Sequence, residues 1–140
     1  MKHIPKLSII LLMAFYSGIS MQAKSIKAYL MMSEFVFPEQ GNYVETYLNI
    51  NSKSIIYAKN EKGKLQASIN VNILFMRNDS VFNYGKYNLL SPEYNDTLSP
   101  RPNFIDVQRF ILAKGSYTFE LSITDNNNIT KPFSYSQQVI

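Results

Sequence analysis

The chain has 140 residues, with 14 Lys and Arg against 10 Asp and Glu, one His, no Cys and a formal net charge of +4. The single histidine is His3, so the body of the chain has neither imidazole nor thiol. That excludes Ser-His-Asp and Cys-His catalysis, histidine-bound zinc, disulfides and thiol redox chemistry there. The charges are scattered apart from a small basic turn over Lys59 to Lys64, without the clustered stripe of a nucleic-acid binder.

Residues 1–23 have the order of a secretory signal peptide. Lys2 and Lys6 come first, an apolar run from Leu7 to Tyr16 follows, and Ser17, Gly18, Ser20 and Ala23 supply small residues. The run is well short of the ~20 residues a membrane-crossing helix needs, and no later segment is longer and equally apolar. Cleavage after Ser20 or Ala23 is expected. The second leaves residues 24–140 as one domain, exported to the periplasm or the cell exterior and without a membrane span. Without Lys2 and Lys6 the count falls to 12 basic against 10 acidic residues, a net charge of +2.

Residues 26–37 form the first expected strand. Ala28, Leu30, Met32 and Val36 lie on one side and Tyr29, Met31, Phe35 and Phe37 on the other. With both sides apolar, such a strand is covered twice or changes sheets. After a turn over Pro38 to Asn42, residues 43–50 alternate, with Val44, Thr46, Leu48 and Ile50 facing one way. A short strand is expected over 55–59, then a turn at Asn60 to Gly63.

The clearest alternation begins at Lys64. Leu65, Ala67, Ile69, Val71, Ile73 and Phe75 point inward; Gln66, Ser68, Asn70 and Asn72 point outward. At ~3.3 Å per residue this stretch would reach ~40 Å, so a bulge or bend is expected. Asn78-Asp79 turns the chain into a return strand over 81–90. Residues 91–103 form the longest loop, with Pro92, Pro100 and Pro102. A strand over 104–112, a tight turn over 113–116, a strand burying Tyr117, Phe119, Leu121 and Ile123, and a last strand over 133–139 complete the chain. No segment of the mature chain has helical spacing.

About seven to eight strands with hairpins and one long crossover predict an all-β, antiparallel β-sandwich of immunoglobulin-like type, with a closed barrel as the alternative. Gly115-Ser116-Tyr117 resembles the corner of such domains at which a tyrosine hydroxyl bonds back to the chain.

Several stretches together resemble the N-terminal region of exported Bacteroidota proteins, some of which carry a GWxTD-type domain further on. They are Tyr43-Val44-Glu45-Thr46-Tyr47-Leu48, Gln66-Ala67-Ser68, Lys86-Tyr87-Asn88-Leu89-Leu90-Ser91-Pro92-Glu93, Asp106-Val107-Gln108-Arg109-Phe110 and Gly115-Ser116-Tyr117. The resemblance implies a sandwich domain at the start of an envelope protein and carries over no activity. The chain has no tryptophan, so the GWxTD motif itself is missing. The chain is then expected to be a stand-alone relative or a truncated fragment, and its ending inside an expected strand favours the second.

Candidate sites are sparse. Glu45, Glu120 and Asp106 are the carboxylates a small hydrolase would draw on, but nothing in sequence pairs them. Asp106 and Arg109 are read as a recognition pair or, more simply, Arg109 as the partner of a cross-strand acid. Asp125-Asn126-Asn127-Asn128 is read as a turn ahead of a calcium loop. The residues chosen for partner binding are Tyr84, Tyr87, Tyr94 and Arg101, in and beside the proline-rich loop. The expected function is a non-catalytic module, without cofactor or metal, that binds a protein or a downstream domain of its own polypeptide. The alternatives are a carbohydrate-binding module and, further off, the carboxylate hydrolase.

Overall fold

Alternating apolar residues give extended strands, because successive side chains leave opposite faces of a pleated backbone. The computed structural model describes residues 25–39, 41–128 and 131–139. The expected export signal and its cleavage points fall outside the described residues. Among those residues the strands are β1 (Ala28–Phe37), β2 (Gly41–Ile50), β3 (Ala58–Lys59), β4 (Leu65–Gln66), β5 (Ser68–Arg77), β6 (Ser80–Leu90), β7 (Phe104–Ile111), β8 (Tyr117–Asp125) and β9 (Phe133–Val139). No α-helix occurs among the described residues, and a 3-10 turn spans Ser52–Ser54.

Seven long strands form two antiparallel sheets, in the orders β1-β2-β7 and β6-β5-β8-β9, while β3 and β4 make a short ribbon. The result is an antiparallel sandwich of two open sheets, not a closed barrel. Its core lies between them. Val44, Leu48, Ile50 and Phe110 come from the first sheet, and Ile69, Val71, Ile73, Phe75, Phe119, Leu121 and Ile123 from the second. Phe75 joins the layers, with its ring centroid 5.0 Å from Phe110 and 5.2 Å from Phe119. Gly85 lies opposite Ile73, and a β-carbon there would come within 3.1 Å of the Phe110 ring. The missing side chain is what admits that ring.

The long alternation from Lys64 is interrupted twice. At Ala67 the chain leaves the ribbon for the sheet. The Ala67 N–H donates to Ser91 Oγ at 2.9 Å, and the Ala67 carbonyl accepts from the Ser91 N–H at 3.0 Å. Beyond Phe75 the register shifts by one, so Phe82 is the extra residue of a bulge, and its ring rests 5.2 Å from Tyr117. The strand expected over 55–59 shrinks to Ala58–Lys59. Its start is drawn away, because the Ile56 N–H donates to Asp125 Oδ2 at 2.8 Å.

Two turns show why their residues are there. Asn78 and Asp79 have φ of 50° and 60°, the pair of positive angles of a two-residue type I′ hairpin. At the corner between β7 and β8, the Tyr117 hydroxyl donates to the Ala113 carbonyl at 2.6 Å. Asp125 ends β8 as a turn former: Oδ1 accepts from the Asn127 N–H at 2.9 Å while Oδ2 holds Ile56.

Candidate functional site

The loop over 91–103 is tied to the β3–β4 ribbon. Tyr94 and Leu65 exchange backbone bonds of 2.8 and 2.9 Å. Glu93 accepts from Asn60 Nδ2 at 2.8 Å and pairs with Lys62 at 3.3 Å and Lys64 at 3.5 Å. The hydrogen bond from Lys62 is the first cause holding the Glu93 carboxyl below its ordinary range. Tyr94 and Arg101 converge on one ring. Tyr94 meets Tyr57 edge-on at 5.8 Å, and the Arg101 guanidinium lies 4.6 Å from the Tyr57 centroid. These contacts anchor the loop to the ribbon around Tyr57.

The other two residues chosen from sequence lie elsewhere. Tyr84 points away from the core on β6 and is 66% exposed. Tyr87, three positions on, faces between the sheets, and its hydroxyl donates to Asp106 Oδ2 at 2.5 Å. Burial and then that bond push the phenol well above its ordinary range. The bond joins the edge strand of one sheet to that of the other. Tyr94 and Arg101 are therefore brought together, while Tyr84 and Tyr87 point to opposite sides of their strand. The carboxylates also separate. Glu45 lies on the outer face of one sheet, Glu120 in β8 on the second sheet, and Asp106 between the sheets with Tyr87 and Gln108.

A second surface emerges on the outer face of β1-β2-β7. Register sets its residues in four rows across the three strands: Tyr29-Asn49-Ile105, Met31-Tyr47-Val107, Ser33-Glu45-Arg109 and Phe35-Tyr43-Ile111. Tyr29, Met31, Phe35, Ile105, Val107 and Ile111 are 38–68% exposed, beyond what isolated surface apolars require. The charges in these rows neutralise each other. Arg109 places Nε at 3.0 Å and Nη2 at 2.5 Å from Glu45 Oε1, and the Tyr47 hydroxyl donates to Glu45 Oε2. The Tyr47 bond first, and Arg109 second, lower the Glu45 pKa, so the carboxylate stays charged. Here Arg109 does meet a cross-strand acid, and Asp106, an odd number of residues away, faces inward.

The rings of this surface are already occupied. Phe35 stacks on Tyr43 at 5.1 Å and 15°, and the Arg109 guanidinium lies 4.5 Å from the Tyr43 centroid. Since β2 runs between β1 and β7, Tyr43 is covered on both sides. It offers a partner its edge, not the open face that stacks on a sugar. Sequence reading passed over this surface although its signal was present. Residues 28–37 are apolar in both phases, and Ile105, Val107 and Ile111 occupy the outward phase of a strand whose inward phase, Phe104, Asp106, Gln108 and Phe110, is half polar.

Comparison with known proteins adds little to this geometry. No family model and no curated protein matches the chain. A solved structure named ApaA, from Bordetella pertussis, is similar at a TM-score of 0.42 with 12% identity, covering 84% of this chain and 94% of that one.

Proposed function

We propose that this chain is an exported, non-catalytic module of the cell envelope that works by presenting one sheet face to another protein. The observation that carries this reading is the apolar outer face of β1-β2-β7, with its one ion pair satisfied from within. The non-catalytic part is supported by the mature sequence, which lacks imidazole and thiol, and by carboxylates already engaged in structural bonds at Glu45, Asp106 and Asp125. Export to the periplasm or cell exterior is supported by the leader over residues 1–23. The strand orders and the Tyr117 corner support an immunoglobulin-like assignment within the sandwich class. The resemblance to the N-terminal region of exported Bacteroidota proteins fits the same role. The carbohydrate-binding alternative gains less support, because Tyr43 has no free ring face.

Photo-crosslinking in the cells that export the protein tests the reading. A photoreactive residue replaces Val107 on the apolar face, Asn88 on the opposite outer face or Leu98 at the loop tip. Adducts should form from position 107 and not from 88. Adducts from position 98 alone would move the site to the loop, and none from any position would reject a binding module.

A further inference from the structure

The four rows on β1-β2-β7 also indicate what covers them. With about 200 Å² for a whole large apolar side chain, the six exposed apolar residues leave roughly 700 Å² open. The largest apolar patch on an ordinary monomer is about 300–600 Å², and a stable interface covers about 800 Å² on each partner. The face is therefore of dimer size. It is also neutral, since its acid and base are paired with each other, so its complement needs to bring apolar surface and no compensating charge.

We infer that the occupant is a second copy of this chain, with the two β1-β2-β7 sheets packed face to face about a two-fold axis; this rests on the binding-module reading above. An axis running along β2 lays β7 of one copy over β1 of the other. Rows then meet rows. Arg109 is set over Ser33 instead of a second Arg109, and Val107 over Met31. Because β2 lies along the axis, its outward residues meet their own copies: Tyr47 faces Tyr47, and Glu45 faces Glu45 with each carboxylate already held by Arg109 and Tyr47. Such a contact is isologous and closes at two copies. The opposite outer face is more polar across its central strands, with Asn70, Asn72, Ser122 and Thr124, and its exposed apolar residues Val81, Tyr84 and Leu90 are confined to the edge strand β6.

The exported protein should sediment as a dimer with a Kd in the micromolar range or below. Met31→Lys with Val107→Lys, both at exposed positions, should give a monomer with unchanged near-UV circular dichroism. Asn88→Lys should leave the dimer intact. Because the chain has no cysteine, Tyr47→Cys provides an independent readout: facing sheets lie about 10 Å apart, too far for a direct disulfide, so a short bis-maleimide should link two copies, whereas Asn88→Cys should stay unlinked. A wild-type monomer would overturn the inference. If position 107 still crosslinks to a different protein, the binding-module reading survives that result; if it crosslinks to nothing, both fall. A dimer that persists in the lysine variant would place the contact elsewhere and overturn the inference as well.

Discussion

Across β5 and β8 the outward residues include Asn70, Asn72, Ser122 and Thr124; across β2 and β7 they include Tyr47, Ile105, Val107 and Ile111. Both sheets present the same kind of inner face, with Ile73 and Leu48 almost fully buried. Both are antiparallel, and both alternate with period two. The difference lies only in the outward phase. One sheet meets water with amides and hydroxyls over much of its central strands, as a half-solvated antiparallel sheet normally does, and keeps its exposed apolar residues Val81, Tyr84 and Leu90 on the edge strand β6. The other carries apolar residues where nothing in the fold requires them. The inward phase explains why the chain folds, and the contrast in the outward phase is what the proposed binding face rests on.

The comparison breaks first if the phases are misassigned. Ile73→Ala should cost about 2–5 kcal/mol through lost burial and a cavity. Asn72→Ala, one residue away on the polar outer face, should cost well under half as much. Equal losses in a denaturant titration would show that inner and outer phases are confused. Making the polar face resemble the apolar one sharpens the contrast. If the dimer proposed above forms, Asn72→Val with Ser122→Val, cross-strand neighbours on β5 and β8, should drive association beyond it in sedimentation velocity, because each copy would then carry two adhesive faces.

Smaller effects probe the polar groups on either side of β2. Thr46 is buried on the inner face, and its hydroxyl has no hydrogen-bond partner. Thr46→Val keeps the shape and should stabilise the protein by about 1 kcal/mol in a thermal melt. On the outer face, Glu45 titrates below its ordinary value because of Tyr47 and Arg109. A lowered folded pKa gives stability that is present above the unfolded value, roughly 4.3, and lost as pH falls through the folded one. The denaturation midpoint should therefore drop on acidification below about pH 4. Glu93 and Asp96 are lowered in the same direction, so the informative quantity is the difference from Glu45→Gln, whose acid limb should be slightly flatter.

Much of the fold was legible because burial of one face imposes a period of two. The inward sets Ile69 to Phe75 and Tyr117 to Ile123 are the buried ones, the loop spans 91–103 as expected, and the last strand is Phe133–Val139. The break at Ala67 was less legible, since it depends on Ser91, a residue distant in sequence that replaces a ladder partner. The site was harder to see. Tyr84 and Tyr87 differ by an odd number of positions, so one strand cannot present both on the same side. The β1-β2-β7 face needed the strand order: its apolar residues come from two segments more than sixty positions apart, joined only because β7 pairs with β2.

That same pairing has a consequence for the rate of folding. The hairpins β1–β2 and β5–β6 close over short turns, the second helped by the positive φ at Asn78 and Asp79. By contrast β2 must find β7, joining Val44 to Phe110, and β5 must find β8, joining Ile73 to Leu121. Contacts this far apart close large loops before they gain anything from burial, which places the chain among slow folders, on a scale of roughly milliseconds to seconds. Until those closures are made, β1 and β7 expose apolar residues in both phases, and that interval is when encounters with other unfolded chains are most dangerous.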